Sequence, residues 1–387
     1  MASITDRIVA ESLTFDDLSL IPQYSEVAPT QADTSTHLWA GTRLSIPILS
    51  AAMDTVTGPE MAVAMALAGG IGVLPRNCPV HTQSSWVREV VDTTPATAGT
   101  AAFDQWSGAA DSSFNGDTNL MVAAAVGVGR AEQDRIAALI TAGVSAIVID
   151  SAHGHSKGVI DQVKYAAHNY DVPVAAGNVV TAEGALALAE AGASMIKVGQ
   201  GPGSVCTTRQ VAGIGVGQLT AIYDIAVALD GVLDRFGRPV TVCADGGIHY
   251  SGDIVKALAA GADTVMLGGL LAGCSEAPGV WATVEGVTKR VFRGMGSAAV
   301  MTTNNFSKDR YGQVGVAADK VVPEGVETTV ADSGPVAQTL HQLVGGLRSG
   351  MGYCGAATIS ELQAKARWVR CTQAAIAEGR PHLLGRA

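Results

Sequence analysis

A repeated pattern constrains the fold of this chain more than any other feature of its sequence. In four places a helix-like segment ends in Ala-Gly or a close equivalent, and a short apolar run follows. Glycine just past a helix end favours the left-handed conformation that terminates helices, and such short apolar runs are typical of strands buried on both faces. The pattern predicts a repeating unit of helix and strand. The copies are LAGGIGVLP (67–75), TAGVSAIVID (141–150), EAGASMIKVG (190–199) and AAGADTVMLG (259–268).

The spacing of these units favours a closed barrel over an open sheet. Gly143 and Gly192 lie 49 positions apart, about two units of the size that an eight-fold β/α barrel requires, and residues 173–177 supply the strand between them. We therefore predict an α/β fold, a (β/α)8 TIM barrel. Alanine-rich helices are predicted at 130–142 and 182–191, with another starting at Ser251. The predicted strands are Ile46–Met53, Gly70–Leu74, Met121–Val126, Ala146–Asp150, Pro173–Ala176, Met195–Val198, Val240–Ala244 and Thr264–Leu267.

Composition excludes several classes of protein. With 387 residues, 48% of them apolar, the chain can bury a large core, and a net charge of -10 argues against a general binder of nucleic acid or anionic membranes. No uninterrupted run of about eighteen apolar residues occurs. The six cysteines are scattered without a C-x-x-C pair, which fits neither a disulfide framework nor a zinc site. We expect a cytoplasmic protein that binds neither membranes nor nucleic acid.

Two segments do not fit a plain barrel. Residues 93–118 are rich in Thr, Ala, Ser, Gly and Asp, lack periodicity, and are interpreted as a linker between the N-terminal part of the barrel (1–92) and the remainder (119–387). Residues 288–334 are too long for an ordinary connection between a strand and a helix. Long loops in compact domains are often lids, so we expect this segment to form a flap over the active site.

A glycine-rich loop with one cysteine, VGQGPGSVCTTR (198–209), follows the predicted strand at 195–198. Its glycines allow sharp bends that expose main-chain amides and carbonyls beside the thiol. A thiol near Arg209 and unpaired amides is expected to ionise readily, and the thiolate is the nucleophilic form. A lone cysteine is more often an ordinary small apolar residue, but the glycine spacing and the Thr-Thr-Arg ending favour a reactive Cys206.

Polar residues follow several of the predicted strands closely, which is where barrel enzymes carry their function: Asp150, Asn178, Cys206 and Asp245. Asp150 could equally cap the next helix, and Asp245 could form a simple Asx-turn. Asp245 could instead accept both hydroxyls of a ribose. Backbone amides after the last strands are a recurrent phosphate site in barrels. The predicted phosphate cradle is Ser204, Gly246, Gly247, Gly268, Gly269 and the segment 292–297 (FRGMGS).

The string GPGSVCTTR followed by GIGVGQLTA closely resembles the active-site loop of the family of inosine monophosphate dehydrogenases and guanosine monophosphate reductases. Further matches are LTFDD (13–17), SAAMDTVT (50–57), GNVVT (177–181), DRY (309–311), PEGVE (323–327) and GGLRSGMGY (345–353), which cover nearly the whole chain outside 93–118. Many dehydrogenases carry a pair of regulatory CBS (Bateman) modules at that point, and about 26 residues cannot hold them. The chain is therefore either a natural form without these modules or a shortened version.

The resemblance implies a role for each matching residue. It implies a nucleophilic Cys206 that forms a covalent thioimidate at C2 of the purine, with Thr208 beside it, and a flap pair, Arg310 and Tyr311, that activates water. Implied substrate contacts are Met53, Ser204, Asp245, Gly246, Gly247, Gly268, Gly269, Phe292, Gly294, Met295, Gly296 and Glu324. Implied contacts to an NAD cofactor are Asp150, Ser151, Asn178, Gly199 and Gly201. Implied carbonyl ligands of K+ are Gly201, Gly203 and Cys206, with Glu378, Gly379 and Arg380 from a neighbouring subunit of a homotetramer or octamer.

Three positions depart from the family's usual pattern, and three functions stay open. Phe292 stands where tyrosine is common, Gly269 where serine is usual, and Gly312 where an aromatic residue is frequent. The resemblance favours NAD-dependent oxidation of inosine monophosphate in guanine nucleotide synthesis. The alternatives are an NADPH-dependent guanosine monophosphate reductase, which Arg310, Tyr311 and the 350–352 string disfavour, and a non-catalytic paralogue that binds purine nucleotides, which an intact Cys206 disfavours.

Overall fold

The fold is given by a computed structural model, which describes residues 7–94, 114–115, 119–284, 286–303 and 305–381. Within these residues eight strands form a closed barrel in which each strand pairs in parallel with the strands before and after it in the chain. The predicted TIM barrel is therefore confirmed. The strands are β1 (Ile48–Ser50), β2 (Ile71–Leu74), β3 (Val122–Val126), β4 (Ala146–Asp150), β5 (Val174–Val179), β6 (Met195–Val198), β7 (Thr241–Asp245) and β8 (Thr264–Leu267).

A helix follows each strand and covers the outside of the barrel. Four of these helices end just before glycines with positive φ, at Gly69 (+83°), Gly143 (+91°), Gly192 (+109°) and Gly261 (+108°), as the repeated pattern predicts. Each glycine reverses the chain into the next strand. The helices are α1 (Pro59–Leu67), α2 (Val80–Val91), α3 (Arg130–Thr141), α4 (Lys157–Asn169), α5 (Ala182–Glu190), α6 (Gln218–Ala228), α7 (Ser251–Ala259) and α8 (Val336–Tyr353).

Two apolar layers hold the barrel together. Outward-facing strand residues such as Ile147 and Ile196 pack against the helices, whereas inward-facing residues such as Val148 and Met195 fill the interior. The side chains alternate because successive residues of a strand point to opposite faces. This alternation places Lys197, two residues after Met195, inside the barrel, where it is only 2% exposed.

An N-terminal hairpin closes the bottom of the barrel. Strands Thr36–His37 and Arg43–Leu44 pair antiparallel, and the turn between them carries Trp39, which is 2% exposed among the interior residues. The hydroxyl of Thr241, at the start of β7, donates a hydrogen bond to a carbonyl of this turn. The hairpin thus fills the amino end of the barrel, opposite the carboxyl ends of the strands.

A long excursion, residues 268–335, separates β8 from α8. It contains a three-stranded antiparallel sheet. The sequence analysis placed the start of this region at residue 288, but the structure shows that it begins earlier, directly after β8. Its role as a flap stays a prediction. The elements are strands Trp281–Val284, Val287–Arg293 and Glu327–Val330, helices Ala298–Thr303 and Asn305–Arg310, and the 3-10 helix Ala318–Lys320.

The remaining elements lie outside the barrel. The predicted linker at 93–118 falls mostly outside the described residues, so the division of the chain that it marks also stays a prediction. None of the helices in the described ranges is long and apolar enough to cross a membrane. The other elements are strands Leu18–Leu20 paired with Trp368–Arg370 and Phe114–Asn115 paired with Asn119–Leu120, helices Thr208–Val211, Ile359–Lys365 and Gln373–Glu378, and the 3-10 helix Pro29–Gln31.

Candidate active site

A cavity opens at the carboxyl ends of the barrel strands, and segments of the 268–335 excursion form part of its wall. It brings together every residue that the sequence assigned to catalysis, substrate or cofactor. Their individual roles stay predictions. The assigned residues in its lining are Met53, Asp150, Ser151, Asn178, Gly199, Gly201, Gly203, Ser204, Cys206, Thr208, Asp245, Gly246, Gly247, Gly268, Gly269, Phe292, Gly294, Met295, Gly296, Arg310, Tyr311 and Glu324.

The cysteine loop is a tight turn held by its own main chain. Gly199 has φ +145°, and a Cβ there would clash with the Asp245 carbonyl oxygen, so only glycine fits. The Cys206 amide donates to the Gly203 carbonyl at 3.0 Å. The thiol, which is partly exposed to the cavity, donates to the Thr208 hydroxyl at 3.2 Å. The loop therefore presents the sulfur to the cavity in a fixed position.

Arg209 contacts main-chain carbonyls beside the cysteine loop, and its effect on the Cys206 thiol stays a prediction. Its guanidinium donates to the carbonyls of Gln200 and Val216, at 3.3 and 2.5 Å. Its side chain also packs so closely on Gly201 that a Cβ there would lie 2.5 Å from Arg209 Cγ. Arg209 therefore joins the cysteine loop, at Gln200, to the chain that follows the loop, at Val216.

Residues 324–326, which we call the strap, lie between the cysteine loop and the 294–297 segment. Main-chain hydrogen bonds of 2.9 and 3.0 Å join the strap to residues 205–207, and two of 3.0 Å join it to Gly294 and Gly296. At its centre is Gly325, where a Cβ would lie 3.0 Å from the Val205 carbonyl oxygen and 3.2 Å from the Ser297 amide nitrogen. The strap thus connects the excursion to the cysteine loop through main-chain hydrogen bonds.

Two carboxylates share one buried lysine at the centre of the cavity floor. Lys197 Nζ lies 2.7 Å from Asp245 Oδ2 and 3.3 Å from Asp150 Oδ1. The Asn178 amide also donates to Asp245 Oδ2, at 2.9 Å. In the described part of the chain both contacts to Asp245 fall on Oδ2, which leaves Oδ1 available to a ligand. Burial disfavours the charge on Lys197, but the two carboxylates outweigh it and raise the pKa of the lysine above its ordinary value.

Arg310 reaches into the cavity and forms an ion pair with the second oxygen of Asp150. Burial opposes the ionisation of Asp150, yet the Arg310 and Lys197 cations outweigh it and hold the pKa of this carboxyl below its usual range. Burial likewise opposes the charge on Arg310, but Asp150 outweighs it and raises the pKa of the guanidinium. The resemblance implies that Arg310 helps to activate water, and in this arrangement Asp150 keeps the proton on its guanidinium.

Tyr311 packs against the 294–296 turn. A Cβ on Gly296 would lie 2.6 Å from the tyrosine ring, so this turn accepts the ring only because residue 296 is glycine. Burial raises the pKa of Tyr311 to about 12, although the Arg310 cation works in the opposite direction. Tyr311 is therefore a neutral phenol near pH 7, able to donate or accept a hydrogen bond.

The predicted phosphate cradle is assembled from small residues around Phe292. A Cβ on Gly269 would lie 3.1 Å from Ser204 Oγ and 3.7 Å from the Phe292 ring. Gly246 and Gly247 have φ of +89° and +79° and pack on the cysteine loop. Phe292 is buried and offers no hydroxyl, so Ser204 and main-chain amides are the donors at this end of the cavity.

Sequence reasoning missed two charged residues that support the site, Lys197 and Arg76, and included a third, Arg293, only as part of the predicted phosphate cradle. Lys197 is the one charged residue in the apolar run at 195–198, and the alternation of that strand already pointed its side chain inward. Arg76, 5% exposed after β2, forms a 3.3 Å ion pair with Asp309 beside Arg310. Arg293 pairs with Asp54 at 2.6 Å and fixes the 294–296 turn beside the loop that carries Met53. These two pairs join residues far apart in the chain, so no local signal predicted them.

The residues predicted as a partner's potassium ligands lie elsewhere. Glu378 ends the short helix Gln373–Glu378, and Gly379 and Arg380 follow it. All three are exposed and do not line the cavity. Their contribution to a neighbouring subunit stays a prediction.

Comparison with known proteins identifies a family model that the chain matches and several relatives to which it is similar. Residues 12–382 match the family model described as the IMP dehydrogenase / GMP reductase domain. The chain is 41% identical to the inosine-5'-monophosphate dehydrogenase of Aquifex aeolicus, with 97% of this chain and 96% of the relative covered. It is 39% identical to the enzymes of that name from Pasteurella multocida, covering 97% of each chain, and from Escherichia coli K12, covering 97% and 96%. The Aquifex alignment spans 481 positions against 387 residues here, which fits a chain without an inserted CBS module.

Proposed function

The chain belongs to the IMP dehydrogenase / GMP reductase family, and from this premise we propose that it oxidises inosine monophosphate (IMP) to xanthosine monophosphate (XMP) with NAD. One observation carries the proposal: the Cys206 thiol shares a single cavity with Arg310 and Tyr311 of the excursion. A nucleophile and a pair that can activate water are the parts that an oxidation followed by hydrolysis requires. The relatives compared above are all named as dehydrogenases.

The substrate is proposed to lie across the cavity with its phosphate in the glycine-rich cradle. Oδ1 of Asp245 is available for the ribose hydroxyls, since Lys197 and Asn178 already occupy Oδ2. The purine would then lie between Met53 and the cysteine loop, with the strap residue Glu324 at its edge. Main-chain amides bind a phosphate dianion without basic side chains, so a nucleotide is compatible with the acidic composition of the chain.

The cofactor side of the cavity fits NAD. Asn178 is buried, and within the described residues its Oδ1 atom has no hydrogen-bond partner, so it can accept from a carboxamide group. Asp150 and Ser151 would hold the ribose next to the nicotinamide. NAD, when bound, supplies the acceptor for the hydride that leaves C2 of the purine. Because Arg310 pairs with Asp150 in this structure, Arg310 and the cofactor ribose would use the same carboxylate in turn.

In the first chemical step, the Cys206 thiolate, formed by loss of the thiol proton to solvent, would form a bond to C2 of the purine, and the hydride would leave C2 for NAD with its electron pair. The product is a thioimidate on Cys206. Thr208 orients the sulfur, because the thiol already donates to its hydroxyl at 3.2 Å. Main-chain hydrogen bonds from the strap hold the cysteine loop in position while the bond forms.

In the second step, water would add to C2, the S–C2 bond would break, and the sulfur would leave as thiolate. Arg310 is proposed to take the proton of the water, with Tyr311 orienting it. Arg310 is held as a cation by Asp150 in the present arrangement, so its guanidinium must first leave this contact and release a proton to solvent, and only then can the neutral guanidine accept the proton of the water. The state described here is therefore one in which the pair is in the cavity but the base is not yet active.

A potassium ion and further subunits complete the proposal. The main-chain carbonyls of Gly201, Gly203 and Cys206 lie within one short loop and are hard oxygen donors of the kind that K+ accepts. The hydrogen bond from the Cys206 amide uses one lone pair of the Gly203 carbonyl and leaves the other. Glu378, Gly379 and Arg380 of a neighbouring subunit are proposed to complete the site in a homotetramer. XMP leads to guanine nucleotides, and the free cysteines suit a cytoplasmic location.

Absorbance at 340 nm tests the proposal. Purified protein with IMP and NAD should show the formation of NADH, faster with K+ than without it, whereas GMP with NADPH should show no loss of absorbance. The reverse result would identify a reductase, and no reaction with either pair would favour a non-catalytic nucleotide-binding protein. Arg310→Ala should give a burst of NADH close to one per active site and then stall, with nucleotide on Cys206 by mass spectrometry.

A further inference from the structure

Two ion pairs attach the segment of Arg310 and Tyr311 to the barrel, and the excursion supplies the acidic residue in one and the basic residue in the other. Asp309 of the excursion pairs with Arg76 of the barrel, with 3.3 Å between Oδ2 and Nη1, and the next residue, Arg310, pairs with Asp150 of the barrel. Of these two consecutive residues of the excursion, the first presents an anion to a cation of the barrel. The second presents a cation to an anion of the barrel. Such a pattern fixes the register of the segment as well as its distance from the barrel.

Arg76 is built into the wall of the barrel. Its side chain is 5% exposed, and it lies in the loop between β2 and α2. A Cβ on Gly127, just after β3, would lie 2.6 Å from Arg76 Nη1 and 2.8 Å from Asp309 Oδ2, so the β3 end packs directly on this ion pair. Burial lowers the pKa of Arg76 and Arg310 adds to that effect, while Glu132, Asp150 and Asp309 oppose it. A cation buried at this cost requires its carboxylate partners.

Among the described residues, the hydrogen bonds of the 308–322 segment, apart from that of Arg310 to Asp150 and those of helix Asn305–Arg310, lie within the segment itself. Lys308 Nζ donates to the Val316 carbonyl at 2.8 Å. Gln313 exchanges two hydrogen bonds with the main chain of Val322, at 2.8 and 2.9 Å. Such a unit can move without unfolding, and its position in the cavity then depends on the contacts made by Asp309, Arg310 and Tyr311.

We propose that Arg76 is a latch, a positioning residue that holds Arg310 and Tyr311 in the cavity through Asp309 and so controls the hydrolytic half of the reaction. The inference rests on the proposed function for its kinetic consequences. Arg310 in the cavity occupies Asp150, the carboxylate assigned to the cofactor ribose. Weakening the latch should therefore slow hydrolysis and at the same time favour binding of NAD. General damage to the site would instead slow hydrolysis and also weaken the binding of NAD.

Kinetics of Arg76→Met test this division. The NADH burst should keep its amplitude, and the KM for NAD should not rise. The steady-state kcat should fall roughly tenfold or more, which is the factor that a loss of about 1.4 kcal/mol of positioning free energy produces. Mass spectrometry should find nucleotide accumulated on Cys206. Asp309→Asn should lower kcat in the same way. The kcat of the double variant should be no lower than that of the less active single variant. Arg76→Lys, which keeps the charge, should recover most of kcat.

Arg88→Met is the matched control, because Arg88 is an exposed arginine on α2, the helix that follows the Arg76 loop. It should leave kcat, KM and the burst unchanged. An unchanged kcat in Arg76→Met, or loss of the burst together with a raised KM for NAD, would overturn the latch.

Hydrogen exchange separates the latch from the proposed chemistry, because it requires no substrate. Amides of residues 308–316 should exchange several-fold faster in Arg76→Met than in the parent protein, while peptides from β4 to β7 stay unchanged. Equal exchange in the 308–316 peptide would contradict the latch whatever reaction the protein catalyses. Faster exchange without turnover of IMP in the parent protein would support the latch and reject the proposed function.

Discussion

Lys197 holds Asp245 in place inside the barrel, with 2.7 Å between Nζ and Oδ2, and the same Nζ lies 3.3 Å from Asp150. One carboxylate is assigned to the substrate and the other to the cofactor. A single buried cation therefore sets the positions of both, which makes the spacing of the two binding sites a property of the barrel rather than of flexible loops.

Replacing Lys197 by methionine should destabilise the fold in a pH-dependent way. The variant removes the shared cation from the buried Asp150 and the partly buried Asp245, and removing one partner of a buried pair typically costs about 3–5 kcal/mol. The lowered pKa of Asp150 means that its stabilising contribution is present above the pKa of the unfolded state and is lost as the pH falls through the folded value. In the variant the Asp150 carboxyl should take up a proton more readily, because burial favours its neutral form, so the loss should be larger at pH 8 than at pH 5.

Urea unfolding at the two pH values measures this difference. Lys157→Met is the control, because the Lys157 side chain is 85% exposed and its removal should change the free energy of unfolding by less than about 1 kcal/mol. A Lys197→Met variant with the same deficit at both pH values would show that packing, not charge, is what Lys197 contributes.

Cys206→Ser should abolish turnover and leave nucleotide binding nearly intact. A serine hydroxyl is a far weaker nucleophile near neutral pH, whereas the cradle around Ser204 and the Asp245 carboxylate are untouched. Isothermal titration with IMP and the absorbance assay together check the prediction. Cys371→Ser is the control, since Cys371 contacts Ser19 outside the cavity and should be dispensable. More than a few per cent of activity in the Cys206 variant would rule out the covalent scheme.

Gly325→Ala should lower kcat about tenfold or more without unfolding the barrel. The added methyl group would lie 3.0 Å from the Val205 carbonyl oxygen, so the cysteine loop and the strap must separate by a few tenths of an ångström. Gly345→Ala is the matched control: Gly345 is an exposed residue of α8 where an added methyl group would meet nothing within 4 Å, and alanine favours a helix. Equal kcat in the two variants would contradict a positioning role for the strap.

Asp263→Asn should flatten the dependence of stability on pH. Exclusion of water raises the pKa of the Asp263 carboxyl to about 7, although the Val242 amide that donates to it at 2.7 Å works against this. Since the folded state favours the neutral acid, Asp263 makes the protein progressively less stable as the pH rises from about 4 to 7. Asparagine can accept the same hydrogen bond without a charge. Thermal unfolding between pH 5 and 8 should show a smaller decline in the variant, and an identical decline would exclude Asp263 as its source.

The sequence by itself determined the architecture. The recurring Ala-Gly ends followed by short apolar runs predicted four of the eight strands, and the spacing of these units indicated the closed barrel, because a helix end with positive φ and a strand buried on both faces are local events with strong residue preferences. The residues at the strand ends, among them Asp150, Cys206 and Asp245, were predicted to meet for the same reason, since parallel strands in a barrel end on one face. Motif resemblance added the residues of the excursion, including Arg310 and Tyr311.

Only the tertiary structure decided how the charges of the site are paired. Lys197, Asp150 and Asp245 come from three different strands, and their contacts depend on the register of the closed barrel, which no local pattern encodes. The pairing of Arg76 with Asp309 joins residues more than two hundred positions apart. Ion pairs of this kind arise from where the folded backbone brings side chains and from the burial that makes an unpaired charge costly, and both exist only once the chain has folded.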